Sequence, residues 1–431
     1  MSLKFIDLFA GCGGLSLGLM QAGHKGVFAV EKTGHAFSTL SKNLIEREQD
    51  EFKFDWPESI PRRNHDIIEL LANHENTLLA LRGQVDLVAG GPPCQGFSVY
   101  GNRKPTDLRN SLYKKYLKVV ELVQPRVVLL ENVEGIDMPF IQKRANSPPK
   151  IVQTTAALIK KKLKAMGYGS VAFRLCSSAY GVPQVRPRFF IIAMRGASKR
   201  TLQLATNPEF LESERIAHMS VLGLNEAAMT TVRQAISDLE ITGKMQLPSP
   251  DTKGFQQAEY TGPITPYQVS MRFGMTPLQE PNSMRLPRHG DKTIAKFKLL
   301  QEKGMPGYKI SDELRKELGT SKFRIHWLNG DKPAPTITTL PDDFIHYNEP
   351  RILTVREFAR LQSFPDWFEF HGKYTTGGEL RKVDCPRYTQ IGNAVPPRLA
   401  MFLGRYLASL VEQDDQFKAE EEAEQVQPLA A

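Results

Sequence analysis

The sequence predicts an α/β protein, a doubly wound and mostly parallel sheet accompanied by a second, irregular lobe. Three observations predict it. Over residues 1–195, short apolar runs alternate with helical stretches, the rhythm of βαβ units. Over residues 196–345 that rhythm is lost, and short segments are interrupted by Pro and Gly without a repeat. Order returns at Thr354-Val-Arg-Glu357, a capping box, and a last helix is expected over Pro397–Leu410. With 431 residues the chain exceeds what one core usually holds. We divide it into a sheet domain (1–195), a second lobe (196–345), a C-terminal segment (346–411) and an acidic tail (412–431). The tail holds seven acids against one Lys418 and is expected to be solvated and mobile.

The elements follow in order. Lys4–Phe9, "KFIDLF", is a short strand ending in Ala10-Gly-Cys-Gly-Gly14, after which a helix opens. Gly26–Glu31 is a second strand ending in an acid, and Val85–Gly91 a third that runs into prolines. Pro125–Val133 is nearly continuous in apolar residues, as expected of a strand buried on both faces. Arg188–Met194, "RFFIIAM", is similar. Helices are expected between them, over Ser111–Val123 and Ile151–Met166.

Hydrophobic residues make up 41% and charged residues 24%, ordinary for a soluble globular protein. No apolar run approaches the ~20 residues a membrane span needs. The N-terminal stretch lacks the basic start and cleavage site of a signal peptide, so a cytoplasmic protein is expected. Cys12, Cys94, Cys176 and Cys385 are far apart and form no CxxC pair, which argues against structural zinc, any other metal site and a disulfide framework. Net charge is +9, with eleven Lys/Arg against five Asp/Glu over residues 281–330. A basic balance permits a polyanionic partner without proving one.

In an open α/β sheet, ligands bind outside the carboxyl ends of the strands. The Phe9–Gly14 loop, Glu31, Asp66, Cys94 and Glu131 could all face one such crevice. The glycine loop follows a strand and opens a helix, the context of a nucleotide-type site. Glu31 lies twenty residues past Gly11, where an acid can bond two ribose hydroxyls. Asp66 could serve the same site or simply cap a helix. Cys94 lies in Gly90-Gly-Pro-Pro-Cys-Gln-Gly-Phe-Ser98, where prolines stiffen the backbone and glycines admit a ligand. A thiolate there would be a nucleophile. Glu131 ends an otherwise apolar strand, where desolvation raises a carboxyl pKa and suits a general acid. Arg186 and Arg188, on alternate positions of an extended segment, can grip phosphate or carboxylate.

These residues, in this order, resemble the DNA (cytosine-5)-methyltransferases, of the bacterial restriction–modification type. The resemblance rests on Asp7-Leu-Phe-Ala-Gly-Cys-Gly-Gly14, Gly91-Pro-Pro-Cys-Gln-Gly-Phe-Ser98, Glu131-Asn132-Val133 and Gln184-Val-Arg186-Pro-Arg188. It continues in Arg356-Glu357 with Ala359-Arg360-Leu361-Gln362 and Phe364-Pro365, and in Gln390-Ile-Gly-Asn-Ala-Val395. It covers residues 1–195 and 350–410. It implies the Rossmann-like fold of S-adenosylmethionine-dependent methyltransferases, with the C-terminal segment packed back onto the first lobe. The donor, leaving as S-adenosylhomocysteine, would lie against Phe9, Gly11, Cys12, Gly13 and Gly14. Glu31 would hold its ribose and Asp66 its adenine amino group, with Lys32, Ile67, Pro92, Asn393 and Val395 completing the pocket; Cys12 itself reads as packing. Cys94, Glu131, Arg188, Arg186, Asn132 and Pro93 would form the catalytic set. Gln95, Ser98, Arg103, Lys104, Arg109 and one of Thr338 or Thr339 would meet the nucleic acid, and 196–345 would be the target-recognition region. Double-stranded DNA is the implied partner of a monomer, with a companion restriction endonuclease or other defence proteins, and the nucleoid the implied place.

Three alternatives stay open on sequence. An RNA cytosine-5 methyltransferase could use the same scaffold, although a middle lobe of this size suits a module that reaches a DNA groove. A non-catalytic DNA-binding relative is disfavoured by intact Cys94, Glu131 and Arg188. A nucleotide-dependent oxidoreductase would leave "PPCQGFS" without a purpose.

Overall fold

The computed structural model describes residues 1–47, 50–93, 111–144, 147–322, 324–376, 380 and 384–426, with 140–144 and 147–152 described through their backbone. Six strands form the central sheet: β1 (Lys4–Leu8), β2 (Lys25–Val30), β3 (Leu87–Gly90), β4 (Val127–Asn132), β5 (Tyr168–Cys176) and β6 (Pro187–Arg195). Their order is β2-β1-β3-β4-β6-β5. The first four are parallel, and β6 runs antiparallel to both β4 and β5. The apolar run of β4 is fully buried from Val127 to Leu130, as a strand covered on both faces must be. Because β6 is antiparallel, its amino end lies at the carboxyl end of β4: Glu131 pairs with Phe190 and Asn132 with Phe189. That register delivers Arg188 to Glu131.

Helices cover the sheet: α1 (Gly14–Gln21), α2 (Gly34–Leu44), α3 (Ile67–Asn73), α4 (Leu112–Val123) and α5 (Thr155–Ala165). The helix expected over Ile151–Met166 starts later, because Thr154 accepts from Ala157 N as its N-cap, while 147–152 pairs with 140–144 in a hairpin. Beyond β6, α6 (Lys199–Leu204) and α7 (Pro208–Val221) pack on the C-terminal helix rather than join the middle lobe. The capping box at Thr354 is present and starts α8 (Val355–Leu361). It is followed by α9 (Arg387–Asn393) and α10 (Pro397–Val426).

The last helix is expected to end at Leu410, but it continues to Val426. The expectation of a mobile tail from residue 412 is corrected by one residue: Asp414 is 1% exposed. It accepts from Ser198 N at 3.0 Å and Thr201 Oγ1 at 2.7 Å, and Arg126 lies 3.5 Å away. An acid with those partners anchors the helix instead of solvating it. α10 also lies along α1, where His24 Nε2 meets the Gly404 carbonyl at 2.9 Å. One hydrophobic core therefore runs from Leu3 to Val411. A smaller one, of Leu300, Leu314, Leu318, Ile345 and Ile352, supports the helices Asp291–Lys303 and Asp312–Glu317 of the middle lobe. No described helix is long and apolar enough to cross a membrane.

Candidate active site

The loop after β1 turns through left-handed backbone at Phe9 (φ 63°), Gly11 (φ 58°) and Gly13 (φ 95°). Gly11 N donates to Glu31 Oε2 at 3.0 Å. Thr33 N and Oγ1 donate to Glu31 Oε1 at 2.7 and 2.5 Å. Glu31 is thus held rigidly at the end of β2, next to the loop. Nothing lies within 4 Å of where a Cβ of Gly11 would stand, whereas one at Gly14 would be 2.4 Å from the Val395 carbonyl. The two glycines serve different ends: Gly11 opens onto the crevice, and Gly14 admits the C-terminal backbone. Gly13, expected at the cofactor, faces Leu44 and Leu40.

Cys12 is fully buried, with Sγ 3.6 Å from the Gln390 carbonyl, and burial pushes its thiol well up; it packs. Gln390 also takes Thr39 Oγ1 at 2.7 Å and donates to the His371 and Cys385 carbonyls. It is the residue that joins α2, α9 and the glycine loop, and sequence reading gave it no role. Asn393 is exposed at the end of α9 and Val395 half-buried. Asp66 caps α3 through Ile68 N at 2.9 Å and meets Lys32 Nζ at 2.8 Å. Burial works to raise its carboxyl, but these two partners prevail and hold it below the usual range. The helix-capping role is therefore the one its geometry fills, and Ile67 is core, at 3% exposure.

At the end of β4, Glu131 Oε1 lies 3.0 Å from Arg188 Nε. Burial pushes the Glu131 carboxyl up, opposed by Arg188 and Arg186. Gly91 makes room for it: a Cβ there would stand 2.8 Å from Glu131 Oε2. Asn132 Nδ2 donates to the Pro92 carbonyl at 3.0 Å, so the strand that carries Glu131 also pins the lead-in to Cys94. The described segment stops at Pro93; Cys94, Gln95, Ser98, Arg103, Lys104 and Arg109 lie outside the described residues.

Arg186 corrects an expectation. It is 2% exposed and bonds the carbonyls of Ile337 (3.2 Å), Gly392 (2.7 Å) and Ala394 (3.2 Å). Its two Nη groups bond backbone and, among the described residues, the guanidinium grips no carboxylate alongside Arg188. Gln184 does similar work, bonding Ile337 N, the Leu361 carbonyl and Gln362. Together they bring the 337–339 segment onto α9, where a Cβ at Gly392 would stand 2.3 Å from the Thr338 carbonyl. Thr338 Oγ1 donates to Asp343 Oδ2 at 2.7 Å and accepts from Leu340 N. The Thr339 hydroxyl has no hydrogen-bond partner among the described residues.

Asp7 was quoted in the first motif without a role of its own. Its side chain is fully buried beneath the glycine loop. Oδ2 accepts from Ser16 Oγ at 2.5 Å, and Oδ1 has no hydrogen-bond partner. Burial, with Glu31 adding repulsion, pushes its carboxyl up to about 7, against Ser16. A carboxyl raised in the folded state binds its proton more tightly than in the unfolded chain. Its contribution is present below the unfolded value and lost as pH rises toward 7. Asp7→Asn is accordingly expected to raise stability by about 1.5 kcal/mol near pH 5 and by up to about 4 kcal/mol near pH 8. Urea unfolding at the two pH values checks this; equal effects at both would refute the burial of a titrating carboxyl.

Among the described residues no cluster of His, Cys, Asp or Glu could hold a metal ion. What the sheet assembles at one edge is the open side of Gly11 and the fixed Glu31 at the ends of β1 and β2, with a raised carboxyl at the end of β4. This is the layout of an α/β group-transfer enzyme. The model of the C-5 cytosine-specific DNA methylase family matches residues 3–409, and the chain belongs to that family: it is a DNA cytosine-5 methyltransferase. It is similar to the Type II methyltransferase M.DdeI of Desulfomicrobium norvegicum, 31% identical, covering 94% of this chain and 88% of that protein. It is also similar to the Type II methyltransferase M1.HphI of Haemophilus parahaemolyticus, 28% identical, covering 93% and 85%. Among solved structures, one titled as a DNA modification methyltransferase encoded within a prophage, from E. coli, superposes with a TM-score of 0.63. The two are 25% identical, and the match covers 95% of this chain and 99% of that one.

Proposed function

We propose that this chain methylates C5 of a cytosine flipped out of duplex DNA within one short sequence, with S-adenosylmethionine as donor and S-adenosylhomocysteine as product. The observation that supports this most is Glu131, braced 3.0 Å from Arg188 on the strand whose Asn132 holds Pro92 two residues before Cys94. The open side of Gly11 beside the fixed Glu31 fits a nucleoside cofactor. Phe9, Gly11, Glu31, Asn393 and the backbone near Asp66 would hold it. When bound, S-adenosylmethionine supplies an electrophilic methyl group.

This chain's residues do the rest. C5 of cytosine is too weak a nucleophile unaided. The Cys94 thiolate adds to C6, forming a C–S bond and giving C5 enamine character. Glu131, protonated more readily because it is buried, donates at N3 so that negative charge does not build on the ring. Arg188 holds Glu131 in place. Once C5 carries the methyl group, loss of its proton expels Cys94 and restores the ring. Flipping the base costs a few kcal/mol, which contacts to flanking phosphates offset. Gln95, Ser98, Arg103, Lys104, Arg109 and the basic 281–330 stretch are the candidates, with Thr339 near the flipped nucleotide. The middle lobe between α7 and α8 reads the sequence. A monomer acting in the cytoplasm at the nucleoid, beside a companion endonuclease or another defence protein, fits this reading.

The test incubates the protein with S-adenosylmethionine and mixed-sequence duplex DNA or tRNA, then locates 5-methylcytosine by bisulfite sequencing. Methylation confined to one DNA word is expected; methylation of tRNA alone would replace the DNA reading. Glu131→Gln is expected to lower kcat by about 10²- to 10⁴-fold while DNA binding, measured by fluorescence anisotropy, is kept. A variant within a factor of about ten of wild type would remove Glu131 from the proton step.

A further inference from the structure

The strand that carries Glu131 leads into a stretch of one-sided charge. From Met138 to Pro208 the sequence holds thirteen Lys/Arg and neither Asp nor Glu. Four of the thirteen have internal work: Arg186 on backbone carbonyls, Arg188 on Glu131, Arg174 on Glu134 and Asp137, and Arg200 on Glu420. Of the others, Lys143, Arg144 and Lys150 belong to the hairpin formed by 140–144 and 147–152, and Lys160, Lys161, Lys162 and Lys164 to α5.

The place of the hairpin is fixed at its base. Phe140 comes eight positions after Asn132, the last residue of β4. Between them lies a turn of 3-10 helix, Glu134–Asp137. The Asp137 carboxylate accepts from Arg174 Nη2 at 3.2 Å and from Thr154 Oγ1, the N-cap of α5, at 3.5 Å. Arg174 pairs with Phe189, and its neighbour Leu175 with Arg188. Both feet of the hairpin are therefore tied to the carboxyl end of β5, next to the Glu131–Arg188 pair. This is the edge of the sheet opposite β2 and Glu31, away from the place of the cofactor. Lys160 continues the charge onto α5. With Asp137 and Arg174 it lines a cavity of about 580 Å³ beside the base of the hairpin, and it has no ion-pair partner among the described residues.

The hairpin forms a two-stranded sheet of its own, and such a hairpin is marginally stable at best in water. Three cations without an acid add self-repulsion. A polyanion laid against it would relieve both.

Resting on the reading of the chain as a DNA methyltransferase, we propose that the 140–152 hairpin is an arm that lies along the phosphates of the duplex flanking the recognised word. Lys143, Arg144 and Lys150 supply its charge. The arm meets phosphate and not base edges, so it adds affinity and register without altering the word. At about 3.4 Å per residue a strand of this length reaches about 14 Å, the length of about four base pairs.

The experiment uses the full-length protein. It compares wild type with Lys143→Ala/Arg144→Ala/Lys150→Ala and with the charge-reversing Lys143→Glu/Arg144→Glu. The control, Lys161→Ala/Lys162→Ala/Lys164→Ala, removes as many charges from the same acid-free stretch, toward the far end of α5. Bisulfite sequencing of a randomised duplex library first finds the word. Affinity is then measured by fluorescence anisotropy between about 50 and 200 mM salt, on duplexes that end at the word or run about ten base pairs past it. Binding of S-adenosylhomocysteine, by calorimetry, reports an intact fold.

On the extended duplex the hairpin triple variant is expected to flatten the slope of log affinity against log salt by about 2.7, three contacts at roughly 0.9 each. On the short duplex it is expected to match wild type. Charge reversal should weaken binding to the extended duplex further, and the α5 control should change the slope by less than about one contact. The word and the affinity for S-adenosylhomocysteine are expected to stay the same throughout. A hairpin variant with the slope and length preference of wild type would overturn the proposal, and so would a control that falls as far as the hairpin variant, since the charge would then act diffusely. A changed word would mean that the hairpin reads bases, and joint loss of S-adenosylhomocysteine and DNA binding would make its residues structural; either result also overturns it. Absence of DNA methylation by wild type itself would instead refute the function on which the proposal rests.

Discussion

Cys94→Ala is expected to abolish methyl transfer to DNA, by a factor of about 10⁴ or more, the scale seen when a covalent nucleophile is removed. Without addition at C6, cytosine C5 stays part of an aromatic ring, and neither Glu131 nor Arg188 can make it nucleophilic. Binding is expected to survive, because the phosphate and base contacts that flip the base involve other residues. The variant should therefore still retard its duplex in a gel while bisulfite sequencing finds no 5-methylcytosine. Residual methylation above about 1% of wild type would show that the C–S bond is not obligatory. The lead-in to the thiol is held by neighbours the structure does describe. Asn132 ties Pro92 to the end of β4 at 3.0 Å, and Asn132→Ala should consequently weaken the same step through misplacement of the loop.

Cys94 and Glu131 stand out in the sequence for a physical reason. Each stands where its residue type has no packing purpose: a thiol between two prolines and a glycine, and an acid closing an apolar strand. The sheet was legible because fully buried strands are written as unbroken apolar runs. What was not legible depends on partners distant in sequence. Arg186 and Arg188 are indistinguishable as two alternate arginines, yet one bonds three carbonyls and the other braces Glu131. Only the packing of residues 337 and 392–394 decides between them. Asp414 lies in an acidic run that reads as solvated tail, and only Ser198 and Thr201, more than two hundred positions away, make it an anchor. The antiparallel entry of β6 was equally hidden, because an apolar run does not record its direction.

The largest stability effect is expected at Arg360, in the late motif that the sequence marked without explaining. Arg360 is fully buried and all five of its N–H groups are used. Nε and Nη2 meet Asp366 at 2.5 and 2.7 Å, Nη1 and Nη2 meet Asp238 at 3.2 and 3.0 Å, and Nη1 donates to the Ala235 carbonyl at 2.9 Å. Asp238 belongs to the middle of the chain and Asp366 to the C-terminal segment, so one guanidinium joins the two. Burial alone would lower its pKa, but the two carboxylates raise it well above the usual value; the charge is permanent there. Arg360→Leu would leave Asp238 and Asp366 buried with Tyr260, Arg272 and, at 4.0 Å, Arg356 as their remaining partners. Removing one member of a buried ion network costs about 3–5 kcal/mol, because the charges left behind are uncompensated. Urea unfolding should show a loss of that size. The triple variant Arg360→Leu/Asp238→Asn/Asp366→Asn should recover part of it, since no unpaired charge remains. A single variant within about 1 kcal/mol of wild type would mean that water reaches the site and that the network is not the joint between the middle lobe and the C-terminal segment. If the joint is real, the same variant should also lose sequence fidelity, because α8 and the 337–339 segment share Gln184 as a common support.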